Sequence, residues 1–232
     1  MPNDSKSVGL VSTSTASMSS FCTMSTCVYL SISHLLAAAL FSRSVGEIER
    51  RNAGQKFGEF FDELRAHATA TVLTVVAALE AYANELFVEH QKYFPEVELK
   101  VMGKLWELYE MKRPLEKFEF ALILRNGIEL DKSASPYQDV DTLIKLRNAL
   151  THYKPEWSEE AVEHLRVSKL LKHRAVVSPF YSPNDPLFPS AWVSHGTTVW
   201  AVGSIIKFIR DFELKANLEN RFAQFEERLH AL

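Results

Sequence analysis

Between Phe57 and Leu86 the apolar residues fall on a single helical stripe. Phe57, Phe60, Phe61, Leu64, Ala68, Val72, Val75, Leu79, Tyr82 and Leu86 recur mostly at steps of three and four. Only a helix keeps such a row on one side of the chain. The row predicts a helix that starts near Lys56 and is stopped by Pro95, roughly 55 Å long at 1.5 Å per residue. A striped helix of that length has to be covered along its whole length, so the chain must supply other helices to cover it. The small-residue run Ala66 to Thr71 predicts a bend or a close helix approach.

The same rhythm recurs upstream. Val28, Ile32, Leu35, Leu36 and Ala39 continue past Arg43 into Val45 and Ile48, which predicts a helix from near Tyr29 to Arg51 with Gly54 beyond its end. Phe21 to Phe41 is free of formal charge and has the length of a membrane span. Ser, Thr and His34 interrupt it, however, and its stripe continues into charged sequence, as a bundle helix does. Downstream, Glu96 to Val101 alternates polar and apolar, a pattern for a short strand. Lys104 to Met111 reads as a helix, and Pro114 opens another that ends near Gly127. Ser135-Pro136-Tyr137-Gln138 reads as a helix start, with Ser135 as cap and Asp139 and Asp141 in an acidic first turn. Ser158 would cap the next helix, with Glu159 and Glu160 behind it. Four prolines between Ser178 and Pro189 predict an irregular insertion over about 175–195. Trp192 to Trp200 suits a short extended piece. A last helix is expected from about Thr197 through Phe212, and on to Arg228 after a bend.

These elements define an all-α antiparallel bundle. A chain of 232 residues, 47% hydrophobic and 24% charged, buries an ordinary core. Residues 1–27 are rich in Ser and Thr and read as a disordered leader; residues 28–232 read as one helical domain. A net charge of −3 gives no global attraction to nucleic acid, so any RNA contact must come from a local patch. The one basic cluster is Arg166, Lys169, Lys172 and Arg174, joined by His164 and His173. It suits either a helix C-terminus or a phosphate contact. Cys22 and Cys27 have no second Cys or His pair at metal-ligand spacing. The sequence carries no Gly-rich phosphate loop, serine-nucleophile motif or metal-binding helix motif, and no cofactor is expected.

Chemistry is concentrated in Asp141 to Tyr153. At about 100° per residue, Leu143, Leu146, Leu150 and Tyr153 form an apolar arc. Arg147 borders that arc and Thr151 follows, while Asn148 and His152 lie together on the far side. A cation, an amide and an imidazole thus share the uncovered face. Arg and His near a helix C-terminus also suit the free carbonyls there, so neither residue alone implies a site. The stretch RNALTH, Arg147 to His152, resembles the signature of the HEPN superfamily (higher eukaryotes and prokaryotes nucleotide-binding domains). That signature is Arg, four to six residues, His, with a polar residue favoured after the Arg. ALEAYANELF, Ala78 to Phe87, is similar to the preceding long helix of bacterial members. The resemblance spans roughly residues 31–172.

It implies a HEPN-like bundle and a metal-independent endoribonuclease that pairs two motif helices in a homodimer. RNA supplies its own nucleophile, the 2′-hydroxyl. Cleavage then needs proton transfer and charge stabilisation at phosphorus. Histidine, with an ordinary pKa of about 6.5, moves protons near neutrality. Arginine holds phosphate oxygens with a fork of donors. The expected catalytic set is therefore Arg147, Asn148 and His152. Glu80, Asn84, Thr151 and Tyr153 are the expected supporting residues; Glu80 and Asn84 match polar positions of relatives and either order the Arg and His side chains or fix helix packing. Expected partners are RNA, a second copy of the chain and an antitoxin protein, in the cytoplasm and away from membranes, in a toxin or defence role. A non-catalytic binding module on the same fold, partnered by a nucleotidyltransferase-like antitoxin, stands beside this reading.

Overall fold

The computed structural model describes residues 27–157 and 160–230. The leader expectation, apart from an exposed Cys27, and the expected cap Ser158 with its first-turn Glu159 fall outside those residues. Among the described residues nine α-helices follow in order: α1 (Ser31–Arg51), α2 (Phe60–Val88), α3 (His90–Tyr93), α4 (Leu99–Tyr109), α5 (Pro114–Asn126), α6 (Tyr137–Thr151), α7 (Val162–Leu171), α8 (His195–Lys215) and α9 (Glu226–Leu229). No strand occurs among the described residues, so the chain is all-α.

The long stripe forms α2, which is the axis of the molecule. It is shorter than expected, 29 residues or about 44 Å. Phe57 lies ahead of the helix and is half exposed, its ring 4.8 Å from both Phe61 and Tyr181, so it packs on the end of the stripe without belonging to the helix. At the other end the helix breaks at Glu89, and α3 adds one turn before Pro95. The small-residue run does not break α2; Ala68 and Thr71 within it are fully buried, as a close helix approach requires.

Helix α1 runs antiparallel to α2. Its start meets the end of α2, where Glu85 accepts from the Ser31 hydroxyl at 2.7 Å. Its middle meets the first half of α2, with Phe41 5.8 Å from His67. Helix α8 packs on both: the Ser42 hydroxyl donates to Thr198 at 2.8 Å and Tyr82 donates to Glu213 at 2.8 Å. The stripe of α2 is thereby split between two cores. One gathers Val75, Leu79, Tyr82 and Leu86 with α1, α5 and α8. The other gathers Leu64, Ala68 and Val72 with Val167 and Leu171 of α7 and with Leu187, Phe188 and Trp192. Helix α6 bridges them, giving Val140, Leu143 and Ile144 to the first and Leu146 to the second. Helix α2 is long and apolar enough to cross a membrane, and 61% of its most apolar stretch is buried inside the protein.

Several local expectations are corrected. The expected strand at Glu96–Val101 leads instead into α4, whose Met102 is buried on a helical face. The Pro-rich segment is not a bare insertion. Leu187 to Ala191 makes a kinked turn with extended backbone at Phe188, closed by the Trp192 N–H on the Leu187 carbonyl at 2.8 Å; Trp192 also donates its indole N–H to the Pro189 carbonyl at 2.9 Å, and Phe188 is buried. Apolar residues between the prolines carry it into the second core. No extended piece spans Trp192 to Trp200, because Ser194 caps α8 there, accepting the Thr197 N–H at 3.1 Å. Helix α8 ends at Lys215, ahead of the expected Arg228, and the tail turns back through α9.

Candidate functional site

The start of α6 is built differently from the expected cap. Pro136 holds the boundary, and the Ser135 hydroxyl donates to Asp139 at 2.7 Å instead of accepting a backbone N–H. Asp139 also accepts from Arg174 Nε at 2.9 Å. This carboxylate at the helix N-terminus suits the local dipole, and it ties α6 to the segment after α7. At the other end the helix stops at Thr151, since Pro155 disfavours helical backbone before it. His152 stands at the C-cap, its backbone N–H on the Asn148 carbonyl at 2.9 Å. The Thr151 hydroxyl donates back to the Arg147 carbonyl at 2.9 Å.

Leu143 and Leu146 are buried, which fixes the rotation of α6. The far end of the expected apolar arc is looser: Leu150 is half-buried and Tyr153 is 47% exposed. With that rotation Lys145, Asn148 and His152 are exposed.

Two clefts flank this exposed ridge. The first, about 360 Å³, is lined by Asn148, His152 and Tyr153 of the motif and by His164, Arg166 and Phe188. The second, about 400 Å³, is lined by Glu80, Arg147, Arg113 and Lys112. Lys145 and Asn148 border both. Arg147 and His152 therefore open onto opposite sides of one helix. The expectation that cation, amide and imidazole share one face is thereby corrected: Asn148 borders both clefts, but Arg147 lines one and His152 the other. Five positions at 100° per residue already put them about 140° apart.

Each expected side chain has a definite setting. Arg147 pairs through Nη2 with Glu80 of α2, while its Nε is enclosed with no partner among the described residues. Asn84 lies one turn further along α2 and is turned to another task. It accepts from Lys117 Nζ at 2.7 Å, and burial holds that ammonium below its ordinary range. Tyr153 stacks on His164, centroids 5.3 Å apart at 17°. The basic cluster is divided. Arg166 pairs with Glu163 at 2.8 Å at the rim of the His152 cleft, Arg174 is held by Asp139, and Lys169 and Lys172 are exposed on α7 and just beyond it. His164 is buried and not part of a cationic surface. Its Nε2 lies 2.9 Å from the Lys154 carbonyl, which can only accept, so Nε2 carries the hydrogen.

Glu156 is the residue missed in the sequence. It accepts the backbone N–H of His164 at 3.0 Å and of Glu163 at 3.2 Å, capping α7 from the preceding loop. Those N–H groups hold its carboxyl below the usual carboxylate range. A cap seven and eight residues away has no local spacing signature. Lys145 was not singled out either, although with Asn148 and His152 it makes an i, i+3, i+7 row that the helical plot could have shown.

No known protein family, curated protein or solved structure matches this chain.

Proposed function

We propose that this chain is a metal-independent endoribonuclease of HEPN type, with a toxin or defence role in the cytoplasm. What carries the reading is the exposed face of α6, where Asn148 and His152 stand open beside a cleft on a well-anchored helix. In the proposed reaction the 2′-oxygen attacks the adjacent phosphorus and gives up its proton. The bond from phosphorus to the 5′-oxygen breaks, and that oxygen gains a proton. The products are a 2′,3′-cyclic phosphate and a 5′-hydroxyl. His152 transfers protons, Arg147 neutralises charge on the phosphorane, and Asn148 orients one or the other. Glu80 aligns the guanidinium. A phosphate competes for it readily, because the pair is partly solvated, with side chains 25% and 41% exposed.

One chain presents Arg147 and His152 to different clefts. A homodimer with facing α6 helices supplies the missing half of each site. The domain assignment, 28–232 as one HEPN-like unit, belongs to the same proposal, as do an antitoxin partner and the absence of a membrane role. The separation of Arg147 from His152 is also the observation that favours the second reading, a non-catalytic binding module.

Purified wild-type and His152→Ala chains, incubated with RNA and EDTA, decide between the two. The proposal expects cyclic-phosphate ends from the wild type and none from the variant. Undiminished cleavage by His152→Ala, or cleavage that EDTA stops, removes these residues from the mechanism.

A further inference from the structure

Beside His152 the surface is shaped for more than a phosphate. The Tyr153 ring stacks on His164 and lies 6.1 Å from Phe188, and the residue is still 47% exposed, so ring surface remains accessible. The Tyr153–His164 pair stands between two adjoining clefts. One is the His152 cleft; the other, about 270 Å³, is lined by Leu165, Pro186, Phe188 and Pro189. Both share Tyr153, Glu156, His164 and Phe188. Charge is distributed unevenly along this groove. Lys145, Lys154 and Arg166 rim the His152 end, where Glu163 is matched by Arg166 and Glu156 by two backbone N–H groups. The far end is apolar and proline-walled. Trp157, 84% exposed, stands in the same loop.

We propose that this groove is a nucleobase seat for single-stranded RNA: one base stacks on Tyr153, leaving the neighbouring phosphate at His152. The inference rests on the ribonuclease reading and names the form of its substrate. Stacking on an aromatic face is open to any base, whereas a base inside a duplex is already stacked on its neighbours and does not offer a free face. The seat sets the register of the strand. With the base held on Tyr153, the adjacent ribose and phosphate fall at the cationic end and away from the prolines. His164 is the fixed backing of the seat. It is buried, its Nε2 bonds the Lys154 carbonyl, and its own backbone N–H is held by Glu156, so the Tyr153 ring rests on a surface locked from two sides.

The test is a binding cycle on uncleavable RNA, so it reads independently of catalysis. A fluorescent single strand with 2′-O-methyl groups throughout is titrated into wild-type, Tyr153→Leu and Tyr153→Trp chains. Each titration is repeated with a strand made abasic at one position, moved along the oligonucleotide. Tyr153→Leu should weaken binding about tenfold, the scale of one stacked base, and Tyr153→Trp should not. One abasic position should weaken the wild type by the same factor and the Leu variant no further. Duplex RNA of the same sequence should bind weakly and equally to all three. Equal loss for duplex and single strand, additive loss in the Leu variant with the abasic strand, or no RNA binding at all overturns the seat. Thermal midpoints identify any variant that fails to fold, and Tyr153→Trp then carries the cycle alone against the abasic series. If the cycle holds while His152→Ala still cleaves RNA, the seat stands and the proposed mechanism falls.

Discussion

At the scale of single residues, the helical plot of α6 was enough to find the exposed pair. Asn148 and His152 face out because Leu143 and Leu146 face in, and both facts follow from spacing. The neighbours that set their surroundings did not follow from spacing. Glu80 reaches Arg147 from another helix, while Asn84, expected beside it, is taken by Lys117 of α5. A one-turn step along α2 separates these outcomes, and no local signal distinguishes them. The Arg147–Glu80 pair yields a prediction. Both side chains are partly solvated, and Arg147 Nε is enclosed without a partner among the described residues. Arg147→Ala loses a surface-grade ion pair but also removes that orphaned donor. The variant should therefore lose no more than about 1 kcal/mol in urea unfolding while cleavage is abolished. A loss of several kcal/mol would make Arg147 a structural residue first.

At the scale of elements, periodicity located the helices, and what it missed were boundaries and connections. The strand expected at Glu96–Val101 became the approach to α4 because alternation over six residues also fits a short helical face. The Pro-rich segment was read by its prolines, which do break helix. Its core role is set by Leu187 and Phe188 between them and by Trp192 just after the last. Helix α6 depends on that second core at its functional end. Leu146 is 1% exposed there, whereas Leu150, one turn nearer His152, is half-buried. Truncating Leu146 to Ala should cost about 2–5 kcal/mol by cavity formation, and Leu150→Ala clearly less. Equal costs in parallel denaturant titrations would mean that the helix end is packed more tightly than this burial implies. Leu150→Asp, at a half-buried site, should destabilise the chain but leave a folded fraction at low temperature. Leu146→Asp should leave none, because it buries an unpaired charge.

At the scale of the whole molecule, a polar network closes the end of the bundle opposite the start of α8. No motif in the sequence announces it, because its members come from four distant segments. Glu85 of α2 accepts from Ser31 at the head of α1 and from Arg221 in the tail at 2.9 Å. Glu213 of α8 accepts from Tyr82 and from the Arg221 backbone N–H at 3.2 Å. The Arg221 guanidinium lies 4.7 Å from the Tyr82 ring centroid. The network holds the C-terminal segment onto the same helices that anchor α6. Glu213 is 2% exposed, and its second oxygen has no partner among the described residues. Burial pushes its carboxyl above the ordinary range, outweighing the Tyr82 and Arg221 hydrogen bonds that oppose the shift. A carboxyl raised on folding favours the folded state when protonated. Its contribution is fully present below the unfolded Glu value of about 4.3 and is lost as the pH rises through the higher folded value. Glu49, also raised by burial, acts with the same sign elsewhere in the chain, so wild-type stability alone would not isolate Glu213. Comparison with Glu213→Gln does, because the amide keeps an acceptor for Tyr82 and removes the titration. The thermal midpoint of the variant minus that of the wild type should become more positive from pH 4.5 to pH 8. A difference that stays flat would show that Glu213 titrates alike in both states. A difference that becomes more negative would show that the ionised carboxylate is bound by Arg221 more strongly than burial penalises it.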